Sequence, residues 1–489
     1  MSDGPAKYRF GPRETGGAIG GLGWGQAVSI AVGLLGLVLS LHAAPGIAGI
    51  VTGLLWAGGG AIAALATVGG RPPVAWLSIT AGYAFRIGTG RVHSRSARPL
   101  AGASDPATSL PEGLPGLRIL GFPSPAGEVG VIRHGPTWTA ALAVEPEAFA
   151  LLDPSDKERR LDRWGAVLSG VATAGSPVSR IQWVERTAAQ SPDALARYLA
   201  SAIALARDHR AVDSYRDLLV EAGAPARRHE TFVCLQIDAR RASRAIRQAG
   251  GGDHGGCTVL LRELRGLAER LAGAEVPVRG VLTPRLLAQA IRLGFDPDAR
   301  NAIDAREAHD PASAGIAPAS AGPMATEEEW RSFRTDGAIH STYWIAEWPR
   351  IDVGPDFLMP LILTTAAWRT IAVTIEPLDP VRALRQAENA RTSAGSDEEL
   401  RSRFGFATTA RRRRHHEALE DTEAETAAGH TGCRFSGYIT VSARTPDDLE
   451  TAMADVEHTA QMARLELRPM WGEQATAFTY TLPLCRGLR

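Results

Sequence analysis

An apolar stretch at residues 27–68 limits the possible folds of this chain more than any other feature, because it contains no Asp, Glu, Lys or Arg. A single helix of that length would extend about 63 Å, about twice the roughly 30 Å hydrocarbon core of a bilayer. Pro45 and Gly46 interrupt the stretch, and both residue types end helices. The sequence therefore predicts two membrane-spanning helices, at 26–43 and 46–68.

Small residues favour a close contact between the two predicted helices. Glycine recurs in this region, at Gly33, Gly36, Gly46, Gly49 and Gly53. Because small residues let transmembrane helices approach each other, we expect a tight hairpin over 26–69. A cleavable signal peptide does not fit, since the apolar run starts late and is long enough for two helices. A buried hairpin of a soluble protein does not fit either, since residues 15–70 carry no Asp, Glu, Lys or Arg.

Basic residues flank the predicted hairpin on both sides. They are Lys7, Arg9 and Arg13 before it, and Arg71, Arg86, Arg91, Arg95 and Arg98 after it. Positively charged flanks stay in the cytoplasm, and the turn between the helices carries no charge. We therefore expect a multi-pass protein of the bacterial inner (cell) membrane, with segment 1–25 and the large C-terminal region in the cytoplasm. Arginine supplies almost all of the positive charge, which is typical of a GC-rich bacterial genome.

Residues 70–100 combine aromatic and basic side chains directly after the hairpin. The candidate membrane-surface residues are Gly70, Arg71, Pro72, Trp76, Arg86 and Arg91. Aromatic rings favour the membrane interface, and cations favour anionic headgroups. We therefore expect a basic juxtamembrane elbow helix on the inner membrane surface. A third span from Val74 to Arg95 is the alternative, and it would bring two arginines into hydrocarbon at high cost.

The rest of the chain alternates predicted strands and helices. Period-two patterns predict strands at 230–238, 433–443 and 475–484, and the last of these, "ATAFTYTLPL", is expected to close a sheet. Helical periodicity is found at 257–273 and 446–464. This mixture of elements is typical of an α+β protein.

The predicted elements fall into two blocks. The first is a cytoplasmic α+β domain at 101–307, and the second, at 330–489, follows a linker rich in Pro and Ala at 308–329. Strand–helix–strand order favours ferredoxin-like units. The predicted fold class is therefore α+β, with an N-terminal two-helix transmembrane hairpin followed by cytoplasmic ferredoxin-like α/β domains.

The balance of charge argues against nucleic-acid binding. The 53 Lys and Arg residues equal the 53 Asp and Glu residues, so the whole chain has no basic excess. The run Arg411–Arg414 is followed at once by acidic residues such as Glu417 and Glu420, a pattern typical of a solvated, salt-bridged helix. We expect no direct nucleic-acid binding.

Catalytic and cofactor-binding motifs are missing from the sequence. Neither Lys7 nor Lys157 follows a glycine, so no phosphate-binding P-loop can be drawn. Four cysteines lie far apart and lack the spacing of a metal site: Cys234, Cys257, Cys433 and Cys485. Such scattered cysteines suit a reducing compartment. We expect no catalytic residue, no cofactor, no metal ligand and no enzyme activity.

Several phrases resemble components of type IV secretion machinery. "VGGRPPVAWLSI" (68–79) follows two apolar helices and is similar to the small PrgI-like inner-membrane subunits, through Gly70, Arg71, Pro72 and Trp76. "HETFVCLQID", "EWPRIDVGPDFLMPLI" and "TLPLCRGL" resemble the N-terminal, non-motor region of the secretion ATPase of those systems. The chain is thus similar to a fusion of the two. The resemblance marks docking candidates at Trp348, Pro349, Arg350, Pro483, Leu484 and Arg486.

The resemblance implies a structural role. In the ATPase family the "LPL" phrase leads into a nucleotide-binding domain, which does not follow Leu484 here. We therefore expect an inner-membrane component of a type IV secretion or conjugation-like translocation machine that anchors and docks a separately encoded P-loop ATPase. The other implied partners are the lipid bilayer, further secretion-channel subunits and other copies of the chain.

Two alternatives remain open at the level of sequence. A component of type VII secretion systems, EccE, also has two N-terminal helices and a soluble domain, and only the "TLPLCRGL" ending favours the type IV interpretation. A membrane-tethered sensor or adaptor would bind a ligand without any secretion partner. A membrane-bound enzyme is disfavoured by the missing motifs.

Overall fold

A computed structural model of the chain describes residues 23–44, 46–95, 114–125, 127–145, 149–189, 209–221, 227–310, 313–349, 351–363, 368–379 and 432–488, together with Phe10, Ala383, Arg385 and Thr392. Most of the predicted N-terminal segment 1–25 lies outside the described residues. The start of the first predicted domain and the charged helix around Arg411–Arg414 also lie outside them.

Two apolar helices form an antiparallel hairpin near the N-terminus. Helix α1 spans Trp24–Ala43 and α2 spans Ile47–Leu65, with Gly46 in the turn at a φ of 106°. Both helices are long and apolar enough to cross a membrane, and most of their large apolar side chains are exposed. The prediction of two apolar helices separated by a break near residue 46 is confirmed.

Glycines bring the two helices together at backbone distance. A Cβ added to Gly60 would lie 2.7 Å from Ser29 O and 2.9 Å from Gly33 Cα, so neither helix has room for a side chain there. The predicted contact glycines that face the partner helix are Gly33, Gly36, Gly49 and Gly53. Near the open end of the hairpin, Gln26 Nε2 donates a hydrogen bond of 2.6 Å to Ala64 O. The hairpin is therefore held by close backbone contact and by this polar contact.

The strands that the structure describes after the hairpin form one 13-stranded sheet. In chain order they are β1 His93–Arg95, β2 Arg118–Ser124, β3 Gly127–His134, β4 Thr137–Val144, β5 Val178–Ala189, β6 Arg227–Asp238, β7 Val278–Val281, β8 Ala325–Glu328, β9 Phe333–Arg334, β10 Ile339–Glu347, β11 Trp368–Pro377, β12 Cys433–Ala443 and β13 Glu466–Pro469. Their order across the sheet is β1-β8-β9-β10-β12-β11-β5-β6-β4-β3-β2, with β13 also paired to β10 and β7 also paired to β4. The described pairings are all antiparallel.

The sheet consists of two halves with the same strand arrangement. The order β2-β3-β4-β6-β5 in the first half matches β8-β9-β10-β12-β11 in the second, and β7 pairs with β4 as β13 pairs with β10. The halves meet where β5 pairs antiparallel with β11, with Val184 opposite Ala372. This antiparallel seam relates the halves by an approximate two-fold rotation. The sheet is thus continuous between the predicted domains 101–307 and 330–489, and the ferredoxin-like topology stays a prediction.

Helices cover both faces of the sheet. They are α3 Pro73–Gly88, α4 Pro154–Val171, α5 Arg210–Glu221, α6 Ser243–Gln248, α7 Gly252–Gly273, α8 Pro284–Phe295, α9 Ala299–His309, α10 Met359–Leu363, α11 Pro446–Met462 and α12 Gln474–Phe478. Side chains of α7 such as Leu260 and Leu267 are buried with Leu235 of β6 on one face. On the other face, Leu287 of α8 packs with Cys234 in a separate core. Because neighbouring strand residues point to opposite faces, β6 is buried on both.

The residues of the predicted linker 308–329 contribute to this fold. Strand β8 pairs with β1, with His93 opposite Glu327. Ile316 and Ala321 are buried, and the backbone N–H of Ile316 donates to Arg285 O of α8 at 3.1 Å. This part of the chain therefore packs against the core on the α8 face.

A larger side chain at Gly60 is expected to loosen the hairpin. In Gly60→Val the new atoms would meet the backbone of α1, and overpacking of this kind costs about 1–3 kcal/mol. Gly59→Val is the matched control, because a Cβ at Gly59 meets nothing within 4 Å. Disulfide formation between Gln26→Cys and Ala64→Cys measures the contact, and it should be slower only in the Gly60 variant. Equal rates in the two variants would contradict the glycine-mediated contact.

Candidate functional site: the junction between the hairpin and the sheet

A sharp turn links the membrane hairpin to α3. Gly69 and Gly70 have φ values of 57° and 72°, which favour glycine over residues with a Cβ. The backbones of Val68 and Arg71 exchange hydrogen bonds of 2.8 and 3.1 Å across this turn. A Cβ at Gly70 would also lie 2.6 Å from Arg468 Nε on β13. The turn therefore needs glycine both for its conformation and for its contact with the sheet.

The aromatic side chains of α3 pack against aromatic side chains of the sheet's second half. The ring centroid of Trp76 lies 6.2 Å from that of Trp330 and 5.8 Å from that of Trp471. Tyr83, two turns along the same helix, lies 5.1 Å from Trp330 in an edge-to-face arrangement. Trp76 Nε1 also donates to Val68 O at 2.9 Å. The structure thus brings this predicted membrane-surface residue into contact with protein.

Arginines near each end of α3 bind the same part of the sheet. Arg86 Nε lies 3.0 Å from Glu328 Oε2, a carboxylate whose side chain is only 5% exposed, and Arg86 also donates to the carbonyl of Gly472. Arg71 Nη1 lies 3.6 Å from Glu473 Oε2. Charge-assisted bonds to a buried carboxylate are stronger than those between exposed groups. The Arg86 contact is therefore the stronger of the two.

The surroundings of Tyr83 favour the protonated form of its hydroxyl. Burial raises the pKa of Tyr83, and the carboxylates of Glu328 and Glu329 raise it further, because each disfavours the phenolate. Arg86 opposes this effect and does not reverse it. At neutral pH the tyrosine is thus a neutral packing partner for Trp330.

The outward side of α3 is apolar. Leu77, Phe85 and Ile87 are exposed by 69%, 61% and 53%. The guanidinium of Arg91, just after the helix, lies 5.9 Å from the ring centroid of Phe85. One side of α3 therefore contacts protein through aromatic and charged groups, and the other presents apolar groups next to a basic residue.

The predicted docking residue Trp348 belongs to a second aromatic cluster. Its ring centroid lies 5.1 Å from Phe10, 5.3 Å from Phe435 of β12 and 6.5 Å from Phe357. Phe10 precedes the hairpin in the chain, whereas the other three rings follow it. This cluster thus joins the two flanks of the hairpin. Its neighbour Pro349 is buried, and Arg350 lies outside the described residues.

The predicted docking residues near the C-terminus are bound within the core. Pro483 and Leu484 are buried, and Leu484 N donates to Gln182 Oε1 of β5 at 3.0 Å. The carbonyl of Arg486 accepts from Thr374 Oγ1 of β11 at 2.7 Å. Burial lowers the pKa of the Arg486 guanidinium from its ordinary value. These residues therefore lie across the seam between the two halves of the sheet.

The expected closing strand at 475–484 is wrong. The structure has α12 at Gln474–Phe478, followed by turns. Polar side chains on the face of the sheet form hydrogen bonds with the backbone there. Gln182 Nε2 donates to Tyr480 O at 2.8 Å, and Gln236 Nε2 donates to Leu484 O at 3.3 Å. Because side chains supply these hydrogen bonds, no neighbouring strand is needed.

The predicted site residues are therefore found in three separate places. The elbow residues share one junction, Trp348 lies in the Phe10 cluster, and the C-terminal set lies on the seam. The sequence analysis missed the partners that complete the junction, which are Glu328, Trp330, Trp471, Gly472 and Glu473. The phrases "EEEW" and "MWGE" combine aromatic and acidic residues, but nothing in them indicates a contact with α3. Within the described ranges no three His, Cys, Asp or Glu side chains are grouped as metal ligands.

A comparison with protein families relates part of this fold to secretion systems. Residues 224–345 match the family described as type VII ESX secretion system translocon, EccE. The match covers about a quarter of the chain, from the start of β6 through α7, α8 and α9 into β10. A comparison with curated proteins found no match. The matched segment thus supports a component of a secretion system, and the two apolar helices fit insertion into a membrane.

The match overturns the predicted relation to type IV secretion. The prediction of a PrgI-like subunit fused to the non-motor region of a type IV ATPase is wrong, because the family found is a type VII translocon family. The phrase "HETFVCLQID" lies inside the matched segment and forms most of β6, which is buried on both faces. Apolar strand phrases of this kind recur in unrelated sheets. The order of such phrases along the chain is therefore weak evidence for membership in a particular family.

Breaking the ion pair between Arg86 and Glu328 is expected to destabilise the junction. In Arg86→Gln the buried carboxylate loses its charged partner while Ala475 N still donates to it at 3.1 Å, at a cost of about 2 kcal/mol. Thermal unfolding of the full chain in detergent measures the loss. Arg262→Gln is the control, because Arg262 is 65% exposed and pairs with the adjacent Glu263. If Arg86→Gln combined with Glu328→Gln loses the full sum of the single losses, the two side chains do not act as a pair.

Proposed function

We propose that the chain is a membrane-anchored structural component of a type VII secretion machine. The observation that carries this proposal is the match of residues 224–345 to the EccE translocon family, in a chain that begins with two apolar helices. The hairpin anchors the chain, the elbow joins it to the sheet, and the sheet serves as a docking platform. The role is structural rather than catalytic, since the sequence carries no P-loop lysine.

Both flanks of the hairpin lie on the cytoplasmic side in this proposal. Phe10, before α1, stacks on Trp348, which follows both helices. Two residues in contact cannot lie on opposite sides of a bilayer, so the chain crosses it an even number of times. The basic residues on both flanks favour the cytoplasmic side. The sheet is then cytoplasmic, and only the turn around Gly46 faces outward.

The junction holds the sheet close to the membrane surface. Helix α3 starts eight residues after α2 ends and is bound to the sheet by Arg71 and Arg86. Its exposed apolar residues, Leu77, Phe85 and Ile87, suit the boundary between lipid headgroups and acyl chains. A short connection with contacts at both ends leaves the sheet little freedom to swing, so partners meet it in a defined orientation.

The proposed partners are other subunits of the same machine. A separately encoded P-loop ATPase supplies the energy, and further copies of the chain add to the assembly. Anchoring raises the effective concentration of all these components, so weak contacts suffice to hold them together.

Co-purification tests the proposed function. The tagged full chain, extracted from its native membranes in mild detergent, should bring type VII membrane subunits and a P-loop ATPase, identified by mass spectrometry. The exposed variant Arg262→Gln should bring the same set. Recovery of the chain alone in several detergents would contradict the proposal and favour the membrane-tethered sensor. Recovery of type IV subunits would contradict the family assignment.

Cysteine labelling tests the orientation separately. The exposed native thiol is first removed by Cys433→Ser. A membrane-impermeant maleimide should then label Ala44→Cys in intact cells, because Ala44 directly follows α1 at the outward turn. Gln248→Cys, at the exposed end of α6, should react only after permeabilisation. Labelling of Gln248→Cys in intact cells would reverse the proposed orientation.

A further inference from the structure

A small cavity lies where the two halves of the sheet meet. Its volume is about 10 Å³, and its wall includes Arg186 of β5, Arg369 of β11, and Gly294 and Arg300 from α8 and α9. This is room for one small particle, a water molecule or a monatomic ion. A phosphate or sulfate ion does not fit.

The surroundings of the cavity carry an excess of buried positive charge. Three guanidinium groups are buried there: Arg186 and Arg300 with 4% of the side chain exposed, and Arg369 with none. Two buried or half-buried carboxylates face them. Arg300 Nη2 lies 2.5 Å from Glu230 Oε1, and Arg186 Nη1 lies 3.9 Å from Glu230 Oε2. Arg369 Nη2 lies 3.6 Å from Glu185 Oε2.

Two further groups border this cluster. His229 Nδ1 lies 2.6 Å from Glu185 Oε1. Asp304 Oδ1 lies 4.0 Å from Arg300 Nη1, and 25% of the Asp304 side chain is exposed to solvent, which weakens its effect on the cavity. Without the more exposed Asp304, the cluster has three guanidinium groups and two carboxylates and therefore a net positive charge.

Hydrogen-bond donors of the cavity wall are left without acceptors. Arg186 Nη1 donates to Ala290 O at 2.8 Å, but Arg186 Nε and Nη2 and Arg300 Nε have no partner. Arg186 Nη2 borders the wall at Gly294, where an added Cβ would lie 3.2 Å from it. A buried donor without an acceptor costs about 1–3 kcal/mol, and more when it is charged. Glu185 Oε2 and Glu230 Oε2 also lack hydrogen bonds, and neither glutamate belongs to the wall.

The wall hydroxyls with described bonds are already engaged. Thr187 Oγ1 accepts from Arg369 Nη1 at 2.7 Å and lies 3.1 Å from Glu185 Oε1. Ser442 Oγ bonds to His340 Nδ1 at 2.8 Å. A water molecule in the cavity would accept from the arginines but would leave the excess of buried positive charge unbalanced, which a small anion would neutralise. A group that only accepts fits better.

We propose that this cavity binds a small monovalent anion of the halide class, chloride in the cell, held by the free N–H groups of Arg186 and Arg300. The ion balances the buried charge and accepts the unpaired donors. It also joins the seam of the sheet to the turn between α8 and α9. The site is independent of the proposed role in secretion, although Gly294 and Arg300 lie in the segment that matches the translocon family.

Thermal unfolding of the purified full chain in detergent tests the site. Chloride is titrated against gluconate at constant ionic strength, and the midpoint should rise in a saturable way, by on the order of 2 °C or more, because an ion that binds the folded state stabilises it. Arg186→Gln should lose the chloride-dependent rise. Arg244→Gln, an exposed arginine of α6, should keep it. An unfolding midpoint that is the same in chloride and in gluconate would overturn the proposal.

Bromide substitution gives a test that does not depend on a variant. Crystals grown at the bromide concentration that saturates the thermal effect should show an anomalous peak within hydrogen-bonding distance of Arg186 Nη2 and Arg300 Nε. Density for a water without anomalous signal at that position would refute the anion site even if Arg186→Gln fails to fold.

Discussion

The ion pair between Arg86 and Glu328 fixes the sheet to the apolar hairpin, and the rest of the structure depends on this attachment. A hairpin that only inserted into lipid would leave the sheet on a flexible connection. Glu328 is almost fully buried, so Arg86 neutralises a charge that would otherwise destabilise the edge of the sheet. The stability of the sheet and its attachment to the hairpin are therefore coupled. The ring of Tyr83, which packs on Trp330, lies 5.8 Å from the Arg86 guanidinium and adds a cation–π contact.

The seam between β5 and β11 has a different character. Polar and charged side chains are concentrated there on both faces of the sheet: Gln182 bonds the C-terminal segment on one face, and Arg369 donates to the backbone of α10. Each half of the sheet has its own apolar core, and a third core, which includes Val184 and Ala372, crosses the seam on one face. Polar groups at the join need matched partners, so they specify one alignment of the halves more strictly than apolar groups do.

The sequence predicts the local elements well and the contacts between distant residues poorly. The absence of charge before Arg71 predicts the hairpin, and period-two patterns predict β6 and β12, because both signals arise from burial along a few neighbouring residues. The junction joins α3 to residues more than two hundred positions away, and no local pattern records such a contact. The segment 475–484 alternates like a strand, but its hydrogen bonds go to side chains. The repeat is also invisible, since the halves share strand order and not recognisable sequence.

The two-fold relation between the halves makes the chain similar to a symmetric dimer within one polypeptide. An antiparallel pairing of equivalent edge strands is the geometry with which two identical chains form a symmetric dimer. Here the two halves are covalently linked, so their pairing does not depend on the concentration of the protein. The tryptophans and acidic residues that hold the elbow lie in the second half alone, so a symmetric frame carries an asymmetric attachment.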